Sequence, residues 1–146
     1  MNDRYVASIT VPGRIESVRP AAAFLVEMAR GFGVPAAGNH LFEVALVEAL
    51  SNALKHNVRG DPGSALHCEI EITGRHLSVR VLDEAARSPL ALTIPAGAMP
   101  WSDAAPGSWE TIPDTGYGLH LMNAVFPAIA PVTRDGRHGI ELKLTF

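Results

Sequence analysis

Residues 42–57 read "FEVALVEALSNALKHN". Wound into a helix, Phe42, Leu46, Leu50, Ala53 and Leu54 share one apolar arc. Glu48 and Asn52, one turn apart, lie within roughly 40° of one another on a different stripe, together with Leu41, Ala45, Lys55 and His56. With apolar residues on both flanks, a carboxylate and a carboxamide there are partly dehydrated, a state that is costly unless something pairs with them. A metal-bound polyphosphate is one such partner. The Asn side chain offers a hard carbonyl oxygen to Mg²⁺, which keeps its waters and shares its ligands with phosphate, while the Glu can hold a water or take a proton from an attacking hydroxyl. The other reading is a structural pair bonded to backbone or water, and spacing alone does not separate the two.

On either side of this helix the pattern is regular. "RYVASITV" alternates as a strand, with Tyr5, Ala7, Ile9 and Val11 on one side, and Pro12-Gly13 ends it. Ser17 is placed to cap a first helix reaching about Gly31, with Pro20 in its first turn and Ala21, Leu25, Met28 and Phe32 recurring at helical spacing. "GVPAAGN" breaks the chain before the second helix, about Asn39 to His56, and Asn57 with Gly60, Asp61, Pro62 and Gly63 stops it. Two strands, about 65–73 and 76–83, read as a hairpin across Gly74 and Arg75. Periodicity then disappears from Glu84 to Thr115, a stretch holding five of the eleven prolines and both tryptophans. A loop that long in one domain suggests a lid over a site. "TGYGLHLMNAVF" follows as a glycine-rich turn opening a short helix, with Leu119, Met122, Val125 and Phe126 inward. Strands at about 129–134 and 138–146 then meet across Asp135 and Gly136, with Ile140, Leu142, Leu144 and Phe146 on the core face. This order predicts one α+β domain over residues 1–146, a two-layer sandwich whose mixed, mostly antiparallel sheet is covered on one face by helices.

Composition narrows the function. The 146 residues are 47% hydrophobic and 18% charged, the balance of a globular domain. A net charge of -3 argues against nucleic acid and anionic membrane as partners, because such binding uses clustered Lys and Arg. The single cysteine, Cys68, falls on the apolar side of "LHCEIEI" and reads as a buried strand thiol. No basic segment followed by an apolar one opens the chain, and no run of 18 apolar residues occurs, so a cytoplasmic protein is expected.

Two further stretches could carry chemistry. In "DTGYGLHLMN", Gly116 and Gly118 allow backbone amides to approach a phosphate, and the helix start beyond them adds about half a positive charge. The stretch lacks G-x-x-x-x-G-K-S/T and follows a loop, which excludes a P-loop and a dinucleotide fingerprint; a plain loop-to-helix turn is the alternative. Asp83 ends the strand "HLSVRVLD", where a carboxylate could accept a hydrogen bond from an exocyclic amine or simply be a solvated turn acid. No histidine pair has H-E-x-x-H spacing, so a zinc site is not expected.

Taken in order, E-x-x-x-N on a helix, an Asp ending a later strand, a long lid and G-x-G opening a helix resemble the GHKL ATPases with the Bergerat fold. Within that superfamily the chain is similar to the bacterial anti-sigma factor serine/threonine kinases over nearly its whole length. The likeness is carried by "ITVPGRIESVRPAAAFL", "FEVALVEALSNALKHN", "VRVLDEAARSP" and "DTGYGLHLMNAVF". The resemblance implies ATP and Mg²⁺ as cofactors, with Glu48 as general base, Asn52 on the metal and Asp83 on adenine. It further implies that Gly116, Gly118 and Leu119, with Thr115 and Tyr117 beside them, line the phosphates, and that Lys55 and His56 lie near the nucleotide. Implied partners are a sigma factor and an anti-anti-sigma protein phosphorylated on Ser or Thr, and a homodimer is a further family expectation. A histidine-kinase catalytic domain fits less well, since no preceding helical segment supplies a phospho-accepting histidine.

The chain departs from that family at the adenine end. The family's D-x-G becomes "DEAAR", with Ala85 and Arg87 at positions beside the nucleotide where glycine is common. If residue 85 needs positive φ, a Cβ there adds about 1 to 2 kcal/mol of strain. The family's Gly-Thr entering the last strand becomes Gly139-Ile140, one polar contact fewer. These departures motivate a second expectation, a partner-switching module of the same fold that sequesters a regulatory protein without phosphoryl transfer.

Overall fold

The computed structural model describes residues 3–56, 64–83 and 114–146, with backbone alone at 56 and 114–118. Alternation sets the sheet. In β2 (Ala65–Thr73), Leu66, Cys68, Ile70 and Ile72 are buried, and the residues between them face the other way. Gly74, at φ +59°, turns the chain into β3 (His76–Asp83). β1 (Arg4–Pro12) pairs with the other side of β2. β4 (Ala128–Arg134) and β5 (Arg137–Thr145) form a hairpin whose turn residues, Asp135 and Gly136, have φ of 53° and 76°, as a two-residue turn matched to strand twist requires. Pro131 is tolerated because β4 is an edge strand.

The strand order is β1-β2-β3-β5-β4, antiparallel at every pairing among the described residues. The two-layer α+β sandwich with a mostly antiparallel sheet is as expected, and no parallel pair occurs among the described residues. β5 meets β3 only after a long excursion of the chain, and local alternation carries no information about the direction in which it returns.

Among the described residues three α-helices cover one face. α1 (Val18–Gly31) buries Val18, Ala21, Ala22, Leu25, Val26 and Ala29. Ser17 stands at its N-cap, but its hydroxyl makes no capping bond there. Phe32, which continues the helical spacing of Ala21, Leu25 and Met28, lies past the helix end, where it is 41% exposed and stacks on Tyr5 with ring centroids 4.4 Å apart. α2 (His40–His56) is started by Asn39, whose Oδ1 accepts from the Leu41 N–H at 2.9 Å. Its buried arc is Phe42, Ala45, Leu46, Ala49, Leu50 and Ala53. Ala45 therefore belongs to the core and not to the polar stripe, since a helix laid on a sheet and flanked by a second helix buries a wider arc than a surface helix does. α3 (Asp114–Val125) packs along α2, and Phe126 just beyond it meets Phe42 with ring centroids 5.4 Å apart.

The opposite face of the sheet carries charges in place of helices. Arg80 on β3 donates to Glu141 on β5 at 2.6 Å and to Glu71 on β2 at 3.1 Å, and it also reaches Glu69. Arg4 holds Glu71, Arg134 holds Glu69 and Lys143 holds Glu141. Burial works against the Arg80 charge, and the hydrogen bonds it donates to Glu141 and Glu71 outweigh it, so its pKa is raised. The hydrogen bond from Arg4, followed by that from Arg80, holds the Glu71 carboxyl at about 2 despite its partial burial. In β5, Gly139 passes so close to β3 that a Cβ would lie 1.8 Å from the Val81 carbonyl oxygen.

Candidate functional site

α2 ends at His56, and β2 begins at Ala65, beside the end of β3 that carries Asp83. Asp83 is fully buried and pairs in register with Leu66 on one side and His138 on the other. Leu66, Val79 and Val81 belong to the core under the helices, and alternation puts Asp83 on that same face. It is not a solvated turn acid. A carboxylate placed there needs polar company, and it has interactions of its own.

Glu48 and Asn52 stand on α2 at the margin of its buried arc, each half-buried. Among the described residues neither takes part in a side-chain hydrogen bond or ion pair. That removes the reading in which the two are locked to the main chain. Lys55, one turn on, is exposed and has interactions of its own.

α3 ends where α2 begins, at the Phe42–Phe126 contact, and packs along it, so the two helices run antiparallel. The first turn of α3 consequently lies toward the Asn52 half of α2. The helix begins at Asp114, so Thr115, Gly116, Tyr117 and Gly118 are part of it where a preceding glycine-rich turn was expected. Glycine adopts helical angles, at a cost of about 1 kcal/mol relative to alanine. The backbone N–H groups of that first turn have no intrahelical acceptor. Leu119 is half-buried on α3 and packs against the core. Ala85, Arg87 and the lid at about 84–115, up to residue 113, lie outside the described residues, as do the side chains of His56 and residues 115–118.

Two side chains in this region went unnoticed in the sequence. His138 is the direct partner of Asp83 across β3 and β5, and Thr133 is the partner of His138 across β4 and β5. Thr133 Oγ1 and His138 Nδ1 are 3.0 Å apart. The signal was present, because a two-residue turn at Asp135-Gly136 pairs 134 with 137 and 133 with 138. Behind His138, Ile140 is buried opposite Val81 and supplies no polar group.

The donor set fits a magnesium nucleotide. A buried carboxylate suits an exocyclic amine, and a carboxamide with a carboxylate one turn away suits the metal-phosphate end. Among the described residues no three His, Cys, Asp or Glu side chains converge on one point, so Asn52 would serve a metal whose other ligands are phosphate and water. An open cavity of about 350 Å³, lined in part by His76, Ser78 and Lys143, lies at the far end of β3 and plays no part in this arrangement. No helix of the described residues is long and apolar enough to cross a membrane.

A comparison with protein-family models matches residues 11–146 to the histidine kinase-like ATPase domain. No curated protein sequence matches the chain. With the match spanning all but the first ten residues, and with a buried Asp83, a half-buried Glu48–Asn52 pair and an antiparallel sheet under three helices, the chain belongs to the histidine kinase-like ATPase domain family, whose members bind ATP.

Proposed function

We propose that the protein is an ATP-dependent kinase of the anti-sigma type, which transfers a phosphoryl group to a Ser or Thr hydroxyl of a partner protein. The observation that supports it most is the half-buried Glu48–Asn52 pair on an otherwise apolar helix, which makes no hydrogen bond or ion pair among the described residues. Asp83 would accept from the adenine amine, and the Asn52 carbonyl would hold the metal. N–H groups at the start of α3 would face the phosphates. Glu48 would orient the incoming hydroxyl and take its proton as the oxygen attacks. Bound Mg·ATP supplies an activated phosphoryl group whose developing charge is spread over metal and amides. Its partners on this reading are a sigma factor, which is sequestered, and an anti-anti-sigma protein, which is phosphorylated.

Calorimetric titration with Mg·ATP tests the first half: a saturable heat is expected, and no heat at millimolar nucleotide would overturn the kinase. For the second half, Glu48→Ala is expected to keep nucleotide binding and lose transfer to the phosphorylated partner. Transfer that survives this change would assign the base elsewhere.

A further inference from the structure

Accepting the ATP-binding reading, we infer that His138, positioned by Thr133, reads the purine edge beside Asp83 and sets the preference for adenine over guanine. The row Val11, Leu66, Asp83, His138, Thr133 runs across all five strands on the helix-covered face. Directly paired residues have Cα atoms about 5 Å apart and present their side chains to the same side. Asp83 and His138 are therefore adjacent along this row. The next row inward is Ile9, Cys68, Val81, Ile140 and Pro131, which offers no side-chain donor suited to a base.

His138 is half-buried, and its hydrogen bond to Thr133 uses Nδ1. With the hydroxyl donating to Nδ1, the ring proton sits on Nε2, which makes no hydrogen bond to another described residue. A carboxylate acceptor next to an imidazole donor is the complement of the adenine edge, where the 6-amino donor lies next to a ring-nitrogen acceptor. Guanine reverses that order, setting its O6 against the carboxylate and its N1–H against the imidazole N–H. The pair therefore favours adenine by attraction and rejects guanine by repulsion. Thr133 is a positioning residue: it holds the tautomer and the ring, and does not itself touch the base.

The test is the affinity of Mg·ATP and Mg·GTP, measured by calorimetry, for the wild type, His138→Ala, His138→Gln and Thr133→Val. The wild type is expected to prefer ATP. His138→Ala should lose roughly tenfold in ATP affinity and narrow the ATP-to-GTP ratio by a similar factor. Gln, which also carries an N–H donor, should recover part of both, and Thr133→Val should narrow the ratio with a smaller loss. A wild type that binds neither nucleotide overturns the ATP-binding reading itself. A wild type that binds ATP while His138→Ala and Thr133→Val leave the ratio unchanged overturns only the role of His138. Should the alanine variant fail to fold, the ratio in Thr133→Val decides alone, because its Thr→Val exchange preserves shape on an exposed edge strand.

Discussion

The two faces of the sheet solve the same problem in opposite ways. On the open face each carboxylate is answered by a cation from a neighbouring strand: Glu69 by Arg80 and Arg134, Glu71 by Arg4 and Arg80, Glu141 by Arg80 and Lys143. On the helix side the core is apolar apart from Asp83, which has interactions of its own, and the polar groups at its margin, Glu48 and Asn52, have no such answer among the described residues. Charges that answer one another serve the fold. Polar groups left at the edge of a core are available to something else.

That contrast can be broken from the apolar side first. Phe42→Ala, which removes the ring packed against Phe126, is expected to cost about 3 to 5 kcal/mol in chemical denaturation. From the charged side, Arg80→Met leaves three carboxylates facing one another without their shared cation. Arg80 itself is buried, but the carboxylates it would leave behind keep some contact with water, so the expected loss is smaller, about 1 to 3 kcal/mol, and it should shrink with added salt. Acid provides a gentler version. The folded-state pKa of Glu71 is depressed to about 2 from an ordinary 4.5, so its contribution is complete above about 4.5 and is lost as pH falls from there toward 2. In Arg4→Ala that part of the acid transition should weaken. The smallest effect on stability is expected at the candidate site. Asn52→Ala should move the denaturation midpoint by less than about 0.5 kcal/mol equivalent while abolishing the heat of Mg·ATP binding. A large destabilisation by Asn52→Ala, with nucleotide binding intact, would erase the distinction between the two faces.

Cys68 adds a probe of the core from within. Burial pushes its thiol up to about 12, so alkylation at pH 8 should be negligible in the folded protein and fast in denaturant, which mass spectrometry would register.

Much of this was legible in the residues themselves. β2 and β3 begin and end where alternation and the Gly74 turn place them, because each has one face in the core and a single register satisfies both. Helix α2 is bounded by Asn39 for the same local reason. The rest was decided by tertiary packing. Ala45 is buried because a neighbouring helix widens the arc, and Phe32 is half-exposed because it follows the helix end and stacks on Tyr5 instead of turning inward. At the site, Glu48, Asn52 and Asp83 could be named from motif order, and Asp83 proved to face the helices. His138 escaped notice because the missing threonine at Ile140 drew attention one row inward, although turn geometry had already set its partners.

Gly139 fixes how β5 lies against β3. With only a hydrogen where any other residue would drive a carbon into the Val81 carbonyl, this position works as a notch into which one strand is keyed against the other. A slip of a single residue would push Ile140 or His138 into that notch and is sterically barred. Drift in the neighbouring side chains can thus retune what the row recognises, while the alignment that brings those side chains level with Asp83 stays locked.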